Sequence, residues 1–147
     1  MTPFHTKNVL RTDELENQLS ASIHLDEFLQ KNQDQFLTGK LRELLADLIQ
    51  KRGISKSELA RYAHMSDVYL FQILNGRRTP SRDRLLSLCI ALGCSLDEIQ
   101  EILKQFRYNR LYVKDRRDAV IMYGIEKQWD VTKLNDALYN AGEETLV

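Results

Sequence analysis

The chain of 147 residues contains only two prolines and six glycines. Proline fixes φ and removes a backbone donor, so scarce breakers leave room for uninterrupted helices. No run alternates apolar and polar residues like a strand, and apolar positions recur with a 3.6-residue period. The fold is therefore expected to be all-α. There are two cysteines, Cys89 and Cys94, five apart and without a second pair. That excludes a disulfide framework or a zinc knuckle and leaves two reduced, buried thiols. Three histidines (His5, His24, His64) are scattered, and none has a helical partner carboxylate suited to a metal. There is no glycine-rich phosphate loop and no serine or cysteine in a nucleophile's context. No enzyme, metal or cofactor is expected. The longest clean apolar run, Ala119 to Ile125, is far too short for a bilayer. The start, Met1-Thr2-Pro3-Phe4-His5, lacks an apolar signal core, so a cytoplasmic protein is expected.

Net charge is also missing: 21 basic residues balance 21 acidic ones, which argues against indiscriminate nucleic-acid binding. The distribution is uneven. Residues 1–50 are net −3, residues 51–84 net +5 and residues 85–147 net −2. A local positive field of that kind is the footprint phosphates require.

The same basic segment holds the most organised motif. Ile54-Ser55-Lys56-Ser57-Glu58-Leu59-Ala60 leads to His64-Met65-Ser66, and then to Leu70-Phe71-Gln72-Ile73-Leu74-Asn75-Gly76-Arg77-Arg78-Thr79-Pro80. Ser55 and Ser66 each stand where a hydroxyl would cap a helix. Leu59, Ala60 and Ala63 form one apolar stripe; Leu70, Ile73 and Leu74 form another, expected to face the core. Ala60 is small enough for two helices to cross steeply. Gly76 suits the positive φ of a helix exit, and two arginines follow it. Two short helices, a tight turn and a cationic exit point to DNA.

These residues resemble the helix-turn-helix of the Cro and lambda-repressor-like family, also called XRE, from Ser55 to Leu92-Gly93. With the preceding helix at about 38–52 (Leu41, Leu44, Leu45, Leu48, Ile49), the likeness covers roughly 60 residues. It differs at His64, where glycine is frequent, at Leu74, where glutamate is frequent, and at Asp67, an anion on the exposed side. The resemblance implies a recognition helix in the major groove. Transferred position by position, base-reading falls on Asp67, Val68 and Gln72. Phosphate contact falls on Ser55, Lys56, Asn75, Arg77 and Arg78. Gln72 could pair with adenine, Val68 could touch a thymine methyl and Asp67 could accept from cytosine.

Before the motif, two short helices are expected, one around Leu10, Leu15 and Leu19, starting at Thr12-Asp13-Glu14-Leu15, and one from Leu25 to Gln30 with Phe28 and Leu29 inward. After it, residues 82–112 overlay 117–147 at a shift of 35 without a gap. Only five of 31 positions are identical, so the persuasive feature is the shared apolar register. Each unit reads as helix, capped turn (Ser95 or Asp130) and helix, a tandem hairpin. Arg82-Asp83 recurs as Arg117-Asp118, which suggests a cap or an interhelical salt bridge. The ending Ala141-Gly142-Glu143-Glu144 resembles a bacterial, Gram-positive subgroup of helix-turn-helix proteins. The expected organisation is an N-terminal helical extension (1–37), a lambda-repressor-like domain (38–112) and a C-terminal helical hairpin packed on it (113–147).

The expected function is sequence-specific transcriptional regulation by operator occupancy. The partner is double-stranded DNA and the protein a homodimer, since one recognition helix contacts few base pairs. The competing expectation is a helical protein–protein adaptor, with a signalling enzyme as its possible partner. Val68, Phe71, Asp67 and the zero net charge favour it.

Overall fold

The computed structural model describes residues 10–36 and 41–147, and every regular element among them is helical. The chain forms two compact units, Met1–Thr38 and Gly39–Val147.

In the first unit, α1 (Thr12–Ala21) is followed by α2 (Leu25–Lys31) and a 3-10 turn (Gln33–Gln35). No residue of α1 is buried, and Leu19 is half exposed. Phe28 is buried and meets Phe36 edge-on at 6.2 Å between centroids. Leu29, expected to point inward beside Phe28, is 42% exposed. Adjacent positions on a seven-residue helix diverge by about 100°, so one aromatic can turn inward without taking its neighbour along.

The second unit contains α3 (Leu41–Arg52), α4 (Lys56–Tyr62), α5 (Asp67–Leu74), α6 (Arg82–Ala91), α7 (Leu96–Gln105), α8 (Arg116–Glu126) and α9 (Val131–Asn140). The expected third helix began near residue 38; positions 38–40 and the side chain of Leu41 lie outside the described residues. Leu45 and Leu48 of α3 are fully buried, as are Leu59 of α4 and Leu70 of α5. Leu85, Leu86 and Leu88 of α6 join them, with Ile99, Ile102 and Leu103 of α7 and Ile121 of α8. Each such side chain removed from water contributes about 1.5–3 kcal/mol. The core is therefore built from the centres of the stripes seen in the sequence, while Leu44 and Ile49 of α3 are only half-buried. Six helices start on an oxygen cap: Ser55, Ser66, Ser81, Ser95, Asp115 and Asp130 each accept from the backbone N–H three residues on.

The two C-terminal hairpins, α6–α7 and α8–α9, repeat each other's hydrogen bonds at the same shift of 35. Gln100 bonds the backbone of Leu111, and Asn135 bonds that of Leu146, each at 2.8 Å. The Arg82 guanidinium donates to the carbonyls of Asn109 and Arg110; Arg117 donates to those of Glu144 and Thr145. The hairpins are then tied reciprocally. Arg82 pairs with Asp118 at 3.1 Å, and Arg117 pairs with Asp83 at 3.0 Å. The two pairs are thus reciprocal, each hairpin giving one arginine and one aspartate to the other. The Arg-Asp motif thus makes interhelical salt bridges.

The turn after α6 places the two thiols together. Gly93, at φ +72°, lets the N–H of Cys94 reach the carbonyl of Cys89 at 3.0 Å. That loop pattern brings the two flanking side chains into contact. Both cysteines are free and buried. The Cys89 thiol titrates well above its usual range because it hydrogen-bonds Cys94, is buried and faces the charges of Cys94 and Glu98.

Candidate nucleic-acid interface

The α4–turn–α5 unit is built by its caps. Ser55 Oγ accepts from Glu58 N–H and donates to Glu58 Oε1, both at 3.1 Å. Ser66 Oγ accepts from Tyr69 N–H at 3.0 Å, which fixes where α5 begins. Between them the chain reverses at His64, in the left-handed region at φ +58°. That conformation costs a non-glycine residue some strain. Two contacts hold it: Arg84 donates to the His64 carbonyl at 3.1 Å, and His64 Nε2 is hydrogen-bonded to Thr132 Oγ1 of α9 at 2.8 Å. The last hairpin thereby supports the turn that orients α5.

Leu70 and Ile73 anchor α5 in the core. The opposite side carries Asp67, Val68 and Phe71, all exposed, with Gln72 half-buried beside them. Val68 is 66% and Phe71 61% exposed, unusual for apolar residues on a helix with a buried face available. Leu74, expected in the core, is only half-buried. It lines a shallow groove of 330 Å³ with Val68, Phe71 and Lys56. As the last residue of the helix, it sits where the inward and outward faces meet.

Beyond Gly76, at φ +81°, the chain folds back on α5. The N–H groups of Arg77 and Arg78 both bond the Gln72 carbonyl, at 2.9 and 3.1 Å. Asn75 Oδ1 also accepts from Arg77 N–H at 3.0 Å. The Asn75 and Ser55 side chains therefore spend oxygens on shaping the loop and capping the helix. Lys56 and Arg77 are exposed. Arg78 is held more firmly: its Nε donates to Gln72 Oε1 at 3.0 Å, and its guanidinium lies 5.2 Å from the Tyr69 ring centre. Arg84 approaches the same ring at 5.5 Å.

The three expected base readers thus share one exposed face of α5, and the expected arginines lie in the loop that closes it. Lys56 reaches that face across the groove. Two contributors, Arg42 and Tyr69, went unread in the sequence. Arg42 of α3 brings a guanidinium nitrogen to 3.8 Å from where a Cβ on Gly76 would stand. Tyr69 and Arg84 build the aromatic–cation cluster. Arg42 precedes Gly76 by 34 positions, so no local spacing could reveal it. The contact of Tyr69 with Arg78 and Arg84 had no signature in the sequence.

A family model described as helix-turn-helix matches residues 45–99, the span from α3 into α7. This segment is a helix-turn-helix domain of the Cro and lambda-repressor-like family. No curated protein and no solved structure matches the chain. Helix-turn-helix domains of this family are DNA-binding, and α5 occupies the place of the recognition helix. Among the described residues no helix is long and apolar enough to cross a membrane. No group of three or more metal-ligating side chains occurs among them either.

Proposed function

We propose that this protein is a sequence-specific transcriptional regulator that acts by occupying its operator as a dimer. The observation that supports it most is the exposed face of α5, bearing Asp67, Val68, Phe71 and Gln72 beside an arginine loop. In a helix-turn-helix domain that face enters the major groove. Val68 then meets a thymine methyl, Asp67 a cytosine amino group and the Gln72 region a purine edge. Arg42, Lys56 and Arg77 neutralise phosphate and set register. Three cations per protomer give a two-fold dimer a log–log salt slope of roughly −5. Selection from random duplex DNA followed by gel shift tests this. Gln72→Ala relaxes sequence choice, whereas Arg77→Ala weakens all DNA alike. If neither variant changes binding, α5 is not the reading helix.

A second reading draws on the groove formed by Val68, Phe71, Leu74 and Lys56. On it the same face docks a protein, and the chain is an adaptor. Absence of heparin retention at low salt, together with no selected DNA, would favour that reading.

A further inference from the structure

Arg78 differs from an ordinary phosphate-seeking arginine in how firmly it is held. Its backbone N–H bonds the Gln72 carbonyl at 3.1 Å, its Nε bonds Gln72 Oε1 at 3.0 Å, and its guanidinium rests over Tyr69 at 5.2 Å. Tyr69 and Gln72 are three apart on α5, so they present one ridge of the helix. A free arginine carries about 2 kcal/mol of rotamer entropy. Here much of that freedom is already given up before any ligand arrives, which is the condition for geometric rather than merely electrostatic recognition.

The chemistry of the pair is one-sided. Arginine only donates, so the Gln72 atom facing it must be the carbonyl oxygen. The Gln72 Nε2 hydrogens are therefore not used by Arg78. With Nε engaged, Arg78 keeps the Nη1 and Nη2 end of its fork, for which no protein partner exists among the described residues. Together the two side chains offer donors. In the major groove guanine offers two acceptors, N7 and O6, whereas adenine pairs an acceptor with a donor. A glutamine acting alone would suit adenine; here Arg78 occupies one of the two lone pairs of its oxygen, so the pair as a whole presents more donors than acceptors.

We propose that Arg78 is a base reader that selects guanine in the major groove, with Gln72 and Tyr69 as its positioning residues. This rests on the DNA-binding reading above. Its specific claim is that a residue outside the recognition helix sets specificity at one base pair.

The experiment begins with selection of bound duplexes by the full chain. The selected site is then remade with adenine, or with 7-deazaguanine, at each guanine in turn. One guanine per half-site is expected at which adenine costs about 10- to 100-fold in affinity. The 7-deaza analogue, lacking one acceptor, should cost a smaller factor at that same position. Arg78→Lys keeps the charge but loses the fork. It should abolish the guanine preference while leaving the salt slope and the affinity for random DNA within about twofold. Tyr69→Leu should reduce the guanine preference with Arg78 still present, and Tyr69→Phe should restore it. Helical content and melting of each variant, followed by circular dichroism, separate these effects from misfolding.

If Arg78→Lys keeps the guanine preference, or if Arg78→Ala weakens every sequence equally and flattens the salt slope, Arg78 binds phosphate and the proposal is overturned alone. A selected site without any guanine dependence also overturns it alone. Failure to select any site overturns it together with the regulator reading.

Discussion

Arg82→Ala tests whether the reciprocal ion pairs clamp the two C-terminal hairpins. The Arg82 side chain is 23% exposed and its partner Asp118 10% exposed. Without Arg82, Asp118 retains the Tyr112 N–H at 3.0 Å and the charge of nearby Arg117, but no salt bridge. Breaking a fully buried pair from one side costs about 3–5 kcal/mol, and an exposed pair is worth about 0–1. This pair lies between, nearer the buried limit, so a loss of about 2–3 kcal/mol is expected. The carbonyls of Asn109 and Arg110 are left to water and add little. Asp118→Asn should cost less, because the amide oxygen can still accept from Tyr112. The double variant completes a cycle with a coupling of about 1–2 kcal/mol. Urea unfolding followed by circular dichroism is a suitable assay. With a slope near 2 kcal/mol/M, Arg82→Ala should lower the midpoint by about 1 M. Arg117→Ala should behave alike but more mildly, since Asp83 is 33% exposed. A coupling energy indistinguishable from zero would refute the clamp, even if Arg82→Ala alone proved destabilising.

Two further outcomes follow from the packing of the same unit. A Cβ on Gly124 would come within 2.9 Å of Leu134 Cδ1 and 3.0 Å of Trp129 Cε3. Overpacking of about 1–3 kcal/mol should outweigh a helix-propensity gain of about 1 kcal/mol. Gly124→Ala should therefore be destabilised by about 1 kcal/mol in thermal melts, and a rise in melting temperature would contradict this. For Cys89 the thiol is held neutral in the folded state above its ordinary value of 9.0. The unfolded chain loses that proton first, so this contribution to stability is present below pH 9.0 and declines above it. The decline approaches about 1.4 kcal/mol per pH unit. Cys89→Ser should lack this part of the alkaline slope in urea melts between pH 8 and 10, and Cys89 should resist Ellman's reagent until unfolding. A native thiol titrating below 9 would contradict the assignment.

The helices were legible because they obey local rules. Ser55, Ser66, Ser95 and Asp130 cap where the sequence places them, and Leu59, Ala60, Leu70 and Ile73 bury as their spacing requires. Leu29 departed because adjacent helical positions point about 100° apart, and Leu74 because it is the last residue of its helix. The exposed face of α5 was legible too, since residues opposite a buried stripe face outward. The partnership of Arg78 with Gln72 was not. It arises only when the loop beyond Gly76 folds back, and i,i+6 across a helix end has no sequence signature.

The sequence by itself determined where helices start, which stripes they bury and which segment carries cations, because capping, periodicity and charge act over a few residues. Tertiary structure alone decided that Arg82 meets Asp118 while Arg117 meets Asp83, that His64 is braced by α9, and that Arg42 joins the arginine loop. Those contacts join residues about 34 to 68 positions apart, and only burial of the shared apolar faces brings them within reach of one another.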